Sequence, residues 1–304
     1  MAAVGRALDI DSLNVFLARV SSYTPDLIYC QGDVTSVHHY TDLDGLRGIV
    51  GAHDLWLTHS RYSNDDEELT HGYGVVRKVI TESLAGPVGL ERANYLKALQ
   101  EELDGSTTEP VYICCFCQSG DLLSQWRGYG ANGAGVSLGF NPAHFSYITG
   151  PDSPSYGLVR MWSVFYDDAT QRSIVNEALE FGAEASLPLD QQVARAADAI
   201  RFFIPTFKNA LFAEEKEVRL IFTPSANAHV PHPDFRVSRG MLVPYYRLQA
   251  LAGGSDHARP LPLTGLRIGP SARKDLNAEA ARLMLAKAGY SALLIERSST
   301  PYRG

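Results

Sequence analysis

The chain has 304 residues, 45% hydrophobic and 20% charged, with four cysteines, which is ample for a folded core and too cysteine-poor for a disulfide scaffold. Its 27 basic and 34 acidic residues leave a formal charge of -7, so a wide nucleic-acid-binding surface is not expected, while a local basic cleft stays open. No apolar run approaches the roughly 18–20 residues of a membrane span, and Met1 to Asp11 lacks the basic and apolar regions of a signal peptide, so a cytoplasmic protein with no membrane partner is expected.

In chain order, Asp11 to Val20 places Leu13, Phe16, Leu17 and Val20 at helical spacing, within an N-terminal helical extension over about residues 1–33. Ser36 to Thr41 reads as a strand, and Asp42 then caps a helix carrying Leu43, Leu46, Ile49 and Val50. Leu55 to Thr58 is a second strand that runs into the polar stretch Arg61 to Glu68, followed by helices over Glu67 to Leu84 and Leu90 to Leu103. Val111 to Cys117 and Gly135 to Phe140 read as strands flanking a short helix and glycine-rich turn at Asp121 to Gly133. A strand at Gly157 to Tyr166 precedes a helical region from Thr170 to about Ala210, which Pro205 kinks or ends. After the acidic strand Glu214 to Phe222 come a loop rich in Pro and His (Pro224 to Pro233), strands near Met241 to Tyr246 and Leu261 to Ile268, a helix at Asn277 to Lys287 and a strand at Ser291 to Glu296. There is no fixed-period repeat and no linker, so the expectation is a single α+β domain over residues 1–304 with a helical insertion at about 168–212.

Chemistry is most visible in Glu214-Glu215-Lys216-Glu217-Val218-Arg219. Strand alternation puts Glu215, Glu217, Arg219 and Ile221 on one face and Val218, Leu220 and Phe222 on the other. Carboxylates at a sheet edge beside a cleft stabilise a cationic transition state or accept a proton from a nucleophile. The plain alternative is a solvated strand end with Glu215 or Glu217 paired to Arg219.

Other candidates are weaker. His39 on its strand can hold a ribose hydroxyl or phosphate, with Thr41 adding a hydroxyl, or it is a packed histidine satisfied by backbone. Asn64, Asp65 and Glu67 form a polar loop over a nucleotide, with Arg61 on a phosphate, or Asp65, Asp66, Glu67 and Glu68 hold a divalent cation, or the stretch is an acidic helix start favoured by the macrodipole. In Ser124-Gln125-Trp126-Arg127-Gly128-Tyr129-Gly130, Trp126 or Tyr129 can stack on a flat ring while Ser124 and Gln125 bond its amide; as a core anchor, Trp126 instead holds the turn. Cys114, Cys115 and Cys117 alternate faces and so cannot converge on one metal; they read as small core residues. No phosphate-binding glycine loop and no Gly-x-Ser-x-Gly elbow is present.

His39-Tyr40-Thr41, Leu55 to Thr58, Asn64-Asp65 with Glu67, Leu123 to Arg127 with Tyr129-Gly130, Glu215 to Ile221 and Pro301-Tyr302-Arg303 together resemble a widespread bacterial family known only as a domain of unknown function. More distantly, the order of a histidine on an early strand, a hydroxyl residue in the middle and a glutamate opening a late strand is similar to the ADP-ribosyltransferase superfamily. That resemblance implies a split mixed β-sheet core with flanking helices, and NAD as co-substrate with no metal. It implies His39 on the NAD ribose, Ser119 or Ser124 beside the nicotinamide, and Glu217 on the nicotinamide ribose 2′-OH. Glu215 would orient an acceptor. The implied cofactor-binding set is His39, Tyr40, Thr41, Thr58, Arg61, Asn64, Ser124, Gln125, Trp126 and Arg127, with Glu217, Glu215 and His39 catalytic.

The resulting expectation is an enzyme that cleaves the nicotinamide–ribose bond, as an ADP-ribosyltransferase or NAD glycohydrolase. Its acceptor would be a protein, a nucleobase or a small molecule, with nucleic acid entering only as an acceptor. Two alternatives stand beside it: a metal-dependent phosphodiesterase or nuclease using Asp65, Glu67 and Glu215, and a non-catalytic nucleotide-binding module.

Overall fold

The structure, a computed structural model, describes residues 10–23, 35–62, 68–105, 110–145, 157–224, 230–238, 240–251 and 260–301. Its centre is β3 (Tyr112–Cys117), a strand whose Tyr-Ile-Cys-Cys-Phe-Cys sequence suits burial on both faces. Along one edge β3 pairs over its whole length with antiparallel β6 (Glu217–Pro224), from Tyr112↔Phe222 to Cys117↔Glu217, and β6 carries β5 (Gly157–Ser163) beyond it.

The other edge of β3 is shared. Its Tyr112 and Ile113 pair with His59 and Thr58 of β2 (Trp56–His59), whereas Cys117 pairs with His38 of β1 (Val37–Thr41). The sheet therefore forks at Cys114, Cys115 and Phe116. One limb continues from β1 through β4 (Val136–Phe140) and β9 (Leu263–Ile268) to β10 (Leu294–Arg297), and the other from β2 through β8 (Met241–Arg247) to β7 (Asp234–Ser238). The β9–β10 pair is parallel and the other named strand pairs are antiparallel, so the fold is α+β with a mixed open sheet.

Each face of the sheet has its own core. Directly opposed residues share a face, so Ile113 and Ile221 point to one side with Trp162 of β5, under α1 (Ile10–Tyr23), α3 (Glu68–Ala85), α4 (Leu90–Gly105), α6 (Asp168–Gly182) and α7 (Leu189–Phe203). Cys114, Phe116, Val218, Leu220 and Phe222 point to the other side, against Leu46 and Val50 of α2 (Leu43–Ala52) and Ala278, Ala281 and Leu285 of α8 (Lys274–Lys287). The helical stretch expected at about 168–212 is the pair α6 and α7, packed on each other with α6 against α3 and α7 against α4. Their Ile174, Val175, Leu179, Ala196, Ile200 and Phe203 complete the first core. Each large apolar side chain so buried contributes about 1.5–3 kcal/mol.

Local signals behave as the side chains require. Asp42 caps α2 by accepting from Gly45 N at 2.7 Å, and Asp167 caps α6 by accepting from Thr170 N at 2.7 Å. Three expectations need correction. Glu215 is not on the acidic strand: residues Ala210–Glu215 form a 3-10 turn, which Lys216 closes in a left-handed conformation (φ 44°), so β6 begins at Glu217. Strand β7 falls where no element is read, because its apolar Phe235 and Val237 face solvent on the last strand of a limb instead of marking a core. Cys115 is exposed, whereas Cys114 and Cys117 are buried as expected.

Candidate functional site at the sheet fork

Where β1 and β2 part, a cavity of about 60 Å³ opens against the uncovered middle of β3. That is room for a few waters or the end of a flat ring, since one water needs about 10–15 Å³ on the same measure. It is lined by His38, His39 and Tyr40 of β1, by Cys115 and Phe116 of β3, by Gln125 and Tyr129, and by Glu215 and Glu217. The early histidine, Gln125 of the Ser-Gln-Trp-Arg segment with Tyr129 after it, and the paired glutamates, far apart in sequence, thus meet at one cleft.

His39 sits in the fork itself. Its Nδ1 lies 2.9 Å from the Cys115 carbonyl, which only accepts, so Nδ1 carries the proton and Nε2 is the acceptor of the neutral ring. Burial pulls the ring's pKa down from 6.5; the Cys115 carbonyl opposes this and the Arg236 charge adds to it. Phe116 packs edge-on at 5.8 Å. The backbone-satisfied histidine and the cleft histidine are therefore the same residue.

The carboxylates rest on two buried cations. Arg219 is 0% exposed and donates from Nε and Nη2 to the two Glu217 oxygens, both at 2.8 Å, and from Nη1 to the Pro205 carbonyl at 2.6 Å. Lys208, 3% exposed, bridges Glu215 Oε2 at 2.6 Å and Glu217 Oε2 at 3.1 Å. Burial alone pushes the Glu217 carboxyl up, but Arg219, then Lys208 and the Cys115 thiol, override it and hold the pKa below 4.5. Glu217 is therefore ionised and rigid, with three N–H donors on a group that has about four lone-pair sites. The pairing with Arg219 foreseen as a surface contact exists in the interior, at a carboxylate only 6% exposed. The Tyr166 hydroxyl accepts from Glu217 N at 2.9 Å and fixes the strand's first residue.

Across the cleft, α5 (Leu123–Gly128) is fixed by Asp121 and Trp126. The indole is fully buried, packs on Tyr40 at 4.8 Å and donates from Nε1 to Asp121 Oδ1 at 2.8 Å, so Trp126 is the core anchor. Gly130 permits this, since a Cβ there would lie 2.6 Å from the indole. Asp121 also accepts from Ser298 Oγ, Ser299 N (2.9 Å), Ser299 Oγ (3.1 Å) and Thr300 Oγ1 (2.8 Å), and Arg267 pairs with it at 3.3 Å. Burial raises its carboxyl, but the Ser298 and Trp126 donors lead a set that brings the pKa below 3.8. The result presents Gln125 and the 40%-exposed ring of Tyr129 to the cleft.

Several expected site residues lie elsewhere. Thr41 ends β1 opposite Val136, and Thr58 on the other limb accepts from Arg236 Nη2 at 3.0 Å. Arg61 is exposed in a 3-10 turn, and Arg127 is exposed on α5; neither lines the cleft. Ser124 donates to Glu214 Oε1 at 2.9 Å, and Ser119 offers its carbonyl to the Tyr40 hydroxyl at 2.9 Å. Asn64, with Asp65, Asp66 and Glu67, and Tyr302 and Arg303 of the terminal motif lie outside the described residues. Among the described residues there is no group of three or more His, Cys, Asp or Glu able to hold a metal ion, and no helix is long and apolar enough to cross a membrane.

Sequence reasoning missed Lys208, Tyr166 and the exposure of Cys115. Lys208 had a signal: it is the first charge after Phe202-Phe203-Ile204-Pro205-Thr206-Phe207, a run too apolar to be surface. Its partner, however, depends on the turn that brings Glu215 back.

Residues 125–220 match a family described as a protein of unknown function (DUF2971). The matched span holds Gln125, Tyr129, Lys208, Glu215, Glu217 and Arg219 and stops short of His39. No curated protein and no solved structure matches the chain.

Proposed function

We propose that the fork cleft binds NAD and breaks its nicotinamide–ribose bond, as an ADP-ribosyltransferase or NAD glycohydrolase. One observation carries the reading: the fork brings His39, the Gln125–Tyr129 segment and the Glu215/Glu217 pair, in that chain order, to a single cleft. His39 and Glu217 stand first and last as the distant resemblance implies, on a sheet that divides between β1 and β2, with Gln125 and Tyr129 at the place of the implied serine.

The residue types suit the reaction. Tyr129 offers an exposed aromatic face to the nicotinamide and Gln125 an amide to its carboxamide. His39 Nε2 accepts from a ribose hydroxyl. As the C1′–N1 bond breaks, its electron pair leaves with nicotinamide and positive charge develops on the ribose ring, where fixed carboxylates stabilise it. Water or an acceptor nucleophile then bonds to C1′ and gives up its proton. Because Arg219 and Lys208 occupy most of Glu217, the proton passes to Glu215, which has one bond to Lys208 and sits nearer solvent. Glu217 supplies the rigid negative end of the site, and Glu215 the working base.

The test is direct. Incubated with NAD, the purified chain releases nicotinamide, measured by chromatography, and NAD raises its melting temperature. Neither release nor stabilisation, with water and a panel of protein, nucleobase and small-molecule acceptors, overturns the proposal.

A further inference from the structure

Arg236 on β7 belongs to the limb of the fork opposite His39. Its Nη2 donates to Thr58 Oγ1 at 3.0 Å, and its Cζ lies 5.5 Å from the centroid of the Trp56 ring, which is 42% exposed and stacked on Tyr245 at 4.3 Å. Neighbouring cations have carboxylates: Arg247 holds Asp54 at 2.8 Å, and Arg219 holds Glu217. Among the described residues Arg236 has none, and its Nε is buried without any hydrogen-bond partner. Arg160 also has an unpartnered Nε, but it is 6% exposed and stacked on Phe202 in the core. Arg236 is only half-buried and lies beside an exposed indole. Its charge reaches the gap in the sheet, where it bears on both His39 and Cys114.

A partly desolvated guanidinium without a counter-charge is costly unless an anion completes it. Lying over an indole, a guanidinium keeps its in-plane N–H groups for an oxyanion, which it grips at two points. We infer that Arg236, with Thr58 and Trp56, forms a phosphate subsite at the fork that holds a phosphate of a nucleotide ligand whose far end enters the cleft. The entry of that far end rests on the NAD reading above; the phosphate subsite does not.

Calorimetric titration of the full chain with ADP-ribose and with inorganic pyrophosphate tests this, comparing wild type with R236Q and R61Q. R236Q removes an unpaired charge, so its unliganded melting temperature stays at or above the wild-type value. It is expected to weaken ADP-ribose binding by about tenfold or more, in keeping with charge-assisted hydrogen bonds, whereas R61Q binds as wild type. Should R236Q fail to fold, R236K keeps the charge and loses the two-point grip, and a several-fold weakening is expected. Absence of both ADP-ribose and pyrophosphate binding from the wild type, binding unchanged in the Arg236 variants, or binding lost in R61Q overturns the subsite, and pyrophosphate binding tighter than ADP-ribose overturns the entry of the far end into the cleft. If NAD is never cleaved but ADP-ribose still binds in an Arg236-dependent way, the cleavage reading falls and the subsite stands.

Discussion

Two carboxylates anchor opposite walls of the cleft, and they are held ionised by different means. Glu217 faces two buried cations, Arg219 and Lys208. Asp121 is wrapped chiefly by neutral donors, the Trp126 indole, three hydroxyls and the Ser299 amide, with Arg267 at 3.3 Å. Neutral donors stabilise a carboxylate through short, directional bonds and tie together the segments they come from, here α5 and residues 298–300. Buried cations do more than position. They keep charge in a water-poor place at a desolvation cost that apolar packing would avoid. In the proposed reaction the Asp121 side is the scaffold, and the Glu217 side is the wall whose charge acts.

The contrast predicts a graded set of losses. Arg219→Met leaves Glu217 buried against Lys208 alone and is expected to cost about 3–5 kcal/mol in chemical denaturation, because it strands a buried charge. Glu217→Gln should cost a similar amount, so its loss of turnover would be confounded with loss of fold. Asp121→Asn keeps an acceptor for Trp126 and loses charge-assisted bonds, for about 1.5–3 kcal/mol, and should shift Trp126 fluorescence. An Asp121→Asn loss larger than that of Arg219→Met would reverse the comparison. Arg61→Gln, at an exposed position off the cleft, should stay within about 0.5 kcal/mol of wild type.

Acid sharpens the same difference. Burial, with Arg267 nearby, lowers His38 from 6.5 to about 4. Between those values the unfolded state binds the extra proton, so stability falls as pH drops from 6.5 to 4. Glu217 is depressed below 4.5 and Asp121 below 3.8, so each contributes stability that is present above its unfolded value and lost as pH falls through its folded one. Urea midpoints measured from pH 7 to 3 should decline first in the histidine window and again below about 4.5. A flat profile down to pH 4 would contradict the assignment for His38.

Much of the framework was legible because it follows short-range rules. The cap at Asp42, the alternation of Val218, Leu220 and Phe222 against Ile221, and the split of Cys114 from Cys117 each depend on spacing alone. So does the buried Trp126, whose Gly130 neighbour marks a close approach. The illegible parts depend on long-range pairing. That β1 and β2 share one edge of β3 decides where the cleft opens, and neither strand's sequence states it. That Glu215 stands in a 3-10 turn and Glu217 on the strand separates two residues that alternation would have kept together. Lys208 and Arg236 are known as cations from the sequence, but only the fold distinguishes the one that holds two carboxylates from the one that holds none.

The most direct test of the account is the rate of nicotinamide release from NAD by Glu215→Gln, measured beside its melting temperature. Lys208 keeps Glu217 as partner in that variant, so the fold should melt within a few degrees of wild type. The account predicts loss of kcat by about 100-fold or more, as for removal of a general base, with NAD binding retained. A wild-type rate in the folded variant, or no release by the wild-type chain, would contradict it.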